Sequence, residues 1–111
     1  MNILMRSSLQ KSVVSRNEAW DTLGSGGGIS SYYATVTISH SEISGNPTAG
    51  SGGIATYSGE LTITNSTIAR NGAGTHGGGI YNASGVTKLD STVTVTGNEP
   101  DQCAGGISGC S

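Results

Sequence analysis

Residues 52–71 read GGIATYSGELTITNSTIARN, and the chain repeats this pattern on either side, as GGGISSYYATVTISHSEISGN at 26–46 and GGGIYNASGVTKLDSTVTVTGN at 77–98. In each copy glycines lead into an isoleucine. A run with apolar residues at alternate positions follows, and an aliphatic residue precedes the closing asparagine by three. Apolar spacing of two is strand periodicity with one face buried, whereas helical spacing fails and the glycine and β-branched content argues against it. A period of 25–29 residues built from such runs marks a solenoid in which one repeat makes one turn.

Counted from the isoleucine, the apolar residues fall at fixed offsets. Ile29, Ile54 and Ile80 share the first position; Val36 and Leu61 the next; then Ile38, Ile63 and Leu89; then Ile43, Ile68 and Val95. One residue is inserted after Leu89, so the third copy closes a step late. A coil stacks each offset on itself at the strand spacing of about 4.8 Å, which a single turn needs because it cannot bury its own apolar face. Asn46, Asn71 and Asn98 close the copies. Asparagine tolerates the left-handed conformation of a corner, and its amide can bond the asparagine of the next coil, so a structural ladder is expected. The glycines at 26–28, 52–53 and 77–79 let the backbone turn without side-chain collision; no GxxxxGK[ST] or GxGxxG-then-helix context makes them a phosphate loop. Upstream, Leu9, Val14 and Asn17 fit an earlier, degraded copy in which Ser7 stands where Val36 and Leu61 do. Worn end coils are expected because they face water on one side. The segment EAWDTLGS (18–25) bridges into the next copy, with Trp20 over part of the core. The organisation expected is a degraded N-terminal coil and bridge over 1–25, three coils over 26–102 and a C-terminal loop over 103–111.

The 111 residues support one domain, with 19 glycines, no phenylalanine and 11% charged residues, about half the usual charged share. A net charge of −2 with five scattered basic residues excludes a nucleic-acid footprint. The longest apolar run is far short of the roughly 20 residues of a membrane helix, so no membrane insertion is expected. Met1–Met5 lacks the hydrophobic stretch and small-residue cleavage site of a secretory signal. Cys103 and Cys110 in CAGGISGC are spaced for a short disulfide loop, favoured in an oxidising compartment. Two cysteines without a nearby histidine do not make a metal site, and no cofactor is implied.

The repeats resemble the right-handed parallel β-helix repeats of bacterial secreted and surface proteins, particularly the polymorphic outer-membrane protein type, which alternate a GGA-plus-aliphatic motif with an aromatic-x-x-Asn motif. Here these stand as GGGI (26–29), GGI (52–54) and GGGI (77–80), and as VSRN (14–17), ISGN (43–46), IARN (68–71) and VTGN (95–98), with β-branched residues replacing the aromatic. The closing GNEPDQC (97–103) is similar to the end of related arrays. Over roughly residues 5–111 the resemblance implies an all-β, right-handed parallel β-helix of about three full coils plus the degraded one. It implies secretion or surface exposure, and it leaves function open because such repeats serve adhesins, sugar-active enzymes and passenger domains alike.

A non-catalytic module serving as spacer or interaction surface, with carbohydrate or a protein as ligand, fits best. Tyr32 and Tyr57 share one offset, with Tyr33 and Tyr81 nearby, and stacked aromatics suit sugar rings or simply cover a strand. The resemblance also implies a polysaccharide lyase or glycoside hydrolase as the alternative. Glycoside hydrolysis needs paired carboxylates, yet no two of the seven acids share an offset in adjacent coils. The candidates are Glu60, which lies a coil above Thr35; Asp90, above Thr64 and Ser39; and Lys88, which reads with Asp90 as a solvated pair on one strand face. His40 and His76 occupy different sides of the coil and read as surface residues. Outward threonines at 37, 62, 64, 67 and 94 form the ranks that ice binding needs, but Lys88 and Glu60 interrupt them. Asn65-Ser66-Thr67 and Asn82-Ala83-Ser84 match the glycosylation sequon by chance composition. Unpaired strand edges at the coil ends predict homo-oligomers by coil-end or edge stacking.

Overall fold

The computed structural model describes residues 2–3, 7–10, 12–15, 27–47, 52–74, 77–107 and 110. The elements are β1 (Asn2–Ile3), β2 (Ser7–Gln10), β3 (Val13–Ser15), β4 (Ile29–Ser39), β5 (Glu42–Ser44), β6 (Ile54–Thr64), β7 (Thr67–Ala69), β8 (Ile80–Leu89), β9 (Thr94–Thr96) and β10 (Cys103–Ala104). Every pairing is parallel, and each strand pairs with its counterpart one repeat away. One sheet runs β1-β4-β6-β8-β10 with β2 also on β4, and a second runs β3-β5-β7-β9. This is a parallel β-helix, one repeat per coil.

The expected columns are formed. Ile29 pairs Ile54 and Ile54 pairs Ile80; Val36 lies on Leu61, Ile38 on Ile63, and Ile63 on Leu89. Ile43, Ile68 and Val95 make the column of the second sheet. Nine of these eleven residues are buried in the core, with Leu89 and Val95 packed against it. Complete burial of one such side chain contributes roughly 1.5–3 kcal/mol. Leu9 and Val14 extend two columns into the earlier coil, where Ser7 pairs with Val36. Asn17 and Trp20 lie outside the described residues. One inward column is polar across the three full coils: Ser31, Thr56 and Asn82 stack in register and are all buried.

The corners depart from expectation. The left-handed residue is not the asparagine but the one before it: Gly45, Arg70 and Gly97 carry φ of 64°, 55° and 65°. Asparagine contributes its amide instead. Asn46 Nδ2 donates to Asn71 Oδ1 at 2.9 Å, and Asn71 Nδ2 donates to Asn98 Oδ1 at 3.0 Å. The same acceptors take the backbone N–H groups of Asn46 and Asn71, while Asn71 and Asn98 also donate to the carbonyls of Ile43 and Ile68. The ladder therefore satisfies main chain that has left the sheet and is buried, which would otherwise be costly.

The glycine before each isoleucine is the seat for that amide. A Cβ at Gly53 would lie 2.4 Å from Asn71 Cγ, and one at Gly28 or Gly79 would crowd the Nδ2 of Asn46 or Asn98. The two motifs of the repeat are thus halves of one contact that closes each coil. Above the third coil Gln102 ends the series: its backbone carbonyl accepts from Gly79 and Ile80, as that of Gly53 accepts from Gly28 and Ile29. Its side-chain oxygen takes the N–H and Nδ2 of Asn98.

A second corner uses serine. Ser41 N donates to Ser66 Oγ at 3.2 Å and Ser12 N to Ser41 Oγ at 3.3 Å, each hydroxyl returning to a carbonyl two residues back. Val93 interrupts this series. The inserted residue is absorbed by a turn in which Val93 N donates to the Asp90 carbonyl, so Asp90 leaves the strand column in which the sequence placed it. Finally, the tail is not only a loop. Cys103 pairs with Ile80 and Ala104 with Tyr81, so the tail begins a further turn before the Cys103–Cys110 disulfide closes it.

Candidate functional site

The outward side of the long strands carries residues that differ from coil to coil. Thr35, Glu60 and Val86 form one rank across it, and Thr37, Thr62 and Lys88 the next. The expected threonine ranks are thus broken by Glu60, Val86 and Lys88 in register. Lys88 does not pair with Asp90. Its Nζ reaches across the sheet to Glu60 Oε1 at 3.8 Å, with both side chains largely exposed, a contact of about 0–1 kcal/mol at most. Asp90 Oδ1 instead accepts from the Thr92 hydroxyl and from Thr92 N. These two hydrogen bonds, side chain first, hold the Asp90 carboxyl below its ordinary range by favouring the charged form. The three catalytic candidates therefore divide into an ion pair and a turn cap, and they form no acid–base pair across a common cleft.

Tyr32 and Tyr57 stack in register, with ring centroids 5.0 Å apart and planes within 8°. Tyr81 meets Tyr57 edge-on at 6.2 Å. These half-buried rings turn the faces that a sugar would use toward one another. Tyr33 behaves differently. It sits at a bend in β4 with φ of 53°, matched by Ser58 at 64° in the next coil, and stands 81% exposed. Strand alternation sends only one of two adjacent tyrosines to a given side; the left-handed bend at Tyr33 interrupts that alternation two residues before Thr35 of the outward rank.

Around the asparagine corner, Gly45, Pro47, Arg70, Asn71, Gly72, Gly97 and Glu99 line a shallow groove of 350 Å³. Arg70 adopts there a conformation that costs a non-glycine residue about 1–2 kcal/mol, and its guanidinium lies 3.7 Å from Glu42. His40 is exposed at a left-handed corner; His76 and Arg16 lie outside the described residues. Asn65 of the first sequon is exposed, whereas Asn82 of the second is buried and donates to the Gly85 carbonyl. Among the described residues no three His, Cys, Asp or Glu side chains converge as metal ligands.

Parallel coils stacked in register, an internal amide ladder and a variable outer face define a β-solenoid. The right-handed beta helix region family matches residues 3–110, and the chain belongs to that family. No curated protein and no solved structure matches it.

Proposed function

We propose that the chain is a non-catalytic β-helical module, serving as an interaction surface in a secreted or surface-exposed bacterial protein, and that its outward strand face contacts carbohydrate. The observation that carries this reading is Tyr33, an aromatic ring 81% exposed on a left-handed corner, beside ranks of threonine hydroxyls and the Glu60–Lys88 pair. An exposed ring face offers a platform to the apolar face of a sugar, and the neighbouring hydroxyls and charges can take its polar edges. The disulfide suits an oxidising compartment, and the bacterial surface setting rests on the motif resemblance.

Binding of acidic and neutral oligosaccharides, followed by calorimetry, tests the reading. Tyr33→Ala should weaken binding about tenfold or more, the equivalent of ~1.4 kcal/mol, while Tyr57→Phe leaves it nearly unchanged. Release of reducing ends or unsaturated products from pectin, alginate or glycosaminoglycan, lost in Glu60→Gln or Lys88→Met, would replace the binding module with a polysaccharide-acting enzyme.

A further inference from the structure

Tyr33 heads a column at the bend of the long strands. Its neighbours Tyr32 and Ala34 pair with Tyr57 and Gly59, so Tyr33 lies on Ser58. The two share the left-handed backbone, with φ of 53° and 64°, and equal backbone conformations in stacked coils send their Cα–Cβ bonds the same way. In the third coil Ser84 takes the next place, its hydroxyl 2.9 Å from that of Ser58. A tyrosine ring and two serine hydroxyls thus follow one another along the stacking direction.

This column is high at one end and low over the rest. Tyr33 holds a large ring 81% exposed on a backbone that any side chain strains, an outlier that packing does not account for. Beside the serines the floor is bare. A Cβ at Gly59 would lie 2.2 Å from the Ala34 carbonyl oxygen, and one at Gly85 2.5 Å from that of Gly59. Close stacking of the bends therefore keeps side chains off this floor for two coils. The two outward ranks that follow hold one acid and one base, Glu60 and Lys88, and these face each other at 3.8 Å. They present no net charge to a ligand.

The dimensions select a direction. Successive coils are about 4.8 Å apart, whereas outward residues along a strand recur at about 6.6–6.8 Å. One pyranose residue of an extended glycan advances by close to the first length. A chain laid along the stack sets one sugar on each coil, and a chain laid across it falls out of step. We propose that the ligand is a neutral, unbranched glycan of extended linkage, lying along the stack with one ring on Tyr33 and the next two over Ser58 and Ser84. This rests on the carbohydrate reading of the outward face. The Tyr33 ring takes the apolar face of the first sugar, and the serine hydroxyls donate to and accept from hydroxyls of the next two. A uronate chain would bring a carboxylate to each coil, with Lys88 already committed to Glu60. A curved linkage lifts the third sugar off the floor.

Calorimetry with glucose, cellobiose, cellotriose and cellotetraose tests this, with maltotriose as the curved isomer of the same sugar and trigalacturonate as the charged chain. Affinity should rise about threefold or more per residue up to cellotriose and then level, with maltotriose and trigalacturonate weaker by about tenfold or more. Ser84→Leu should bring cellotriose down to the affinity of cellobiose and leave cellobiose unchanged. Thr37→Leu, on the line that a crossing chain would follow, should change neither. If Ser84→Leu loses its strand circular dichroism, the Ser58→Ala/Ser84→Ala variant is judged by the same loss of cellotriose affinity. Maltotriose or trigalacturonate binding as well as cellotriose, no gain beyond glucose, or a loss in Thr37→Leu in place of Ser84→Leu overturns this alignment. If Tyr33→Ala still weakens binding in those cases, the carbohydrate reading stands without it. Absence of any sugar binding, or binding indifferent to Tyr33→Ala, overturns both.

Discussion

The asparagine corner and the serine corner solve one problem by the same means, but among the described residues only the asparagine ladder continues through the third coil. Asn46, Asn71, Asn98 and finally Gln102 pass an amide hydrogen bond from coil to coil. The serine series reaches Ser66 and stops, because Val93 follows in its column and Thr92 takes the N–H of Asn65 from outside. The difference lies in what else each side chain holds. Asn71 is 2% exposed and serves two donors and two acceptors on three other residues. A serine hydroxyl serves one N–H and one carbonyl at the rim of the core. A ladder is retained where its removal would strand several buried groups, and is dispensable where a turn reaching solvent can substitute.

That contrast can be broken by experiment. Asn71→Ala removes the acceptor of the Asn46 N–H, one of the two acceptors of Asn46 Nδ2 and the donor to the Ile43 carbonyl, and chemical denaturation should show a loss of about 3–5 kcal/mol. Ser66→Ala should cost about 1 kcal/mol; a loss as large as that of Asn71→Ala would erase the distinction between the corners. The smallest effect concerns the turn that replaces serine in the third coil. Its Asp90 carboxyl is held below the ordinary 3.8 by Thr92. A lowered folded pKa means that the contribution is present above the ordinary value and is lost as pH falls through the lowered one. Carboxyl titration by NMR should place Asp90 low, and Thr92→Val should move it upward.

Most of the fold is legible in the chain because equal offsets force equal neighbours: once Ile29, Ile54 and Ile80 are aligned, the remaining columns follow. The glycine–asparagine contact is hidden because it joins the two ends of one repeat, Gly53 to Asn71, and only closure of the coil brings them together. Gln102 is hidden for the opposite reason, since it lies beyond the last repeat and has no counterpart to be compared with. The site residues are less legible in the chain. Asp90 follows the insertion, so the offset that put it on a strand does not survive the turn. The exposure of Tyr33 beside half-buried Tyr32 depends on a left-handed bend that alternation does not announce.

The place of Gln102 has a consequence for how such chains are lengthened. Each coil carries its own amide and its own glycine seat, so growth by duplication needs nothing from outside the unit. Gln102 works as a chain terminator in the polymer sense: it occupies the glycine position yet brings an amide of its own. The next coil can then no longer be fitted by simple addition. Evolution or design can add coils anywhere before it, but extension beyond it requires that this one residue be rewritten as glycine.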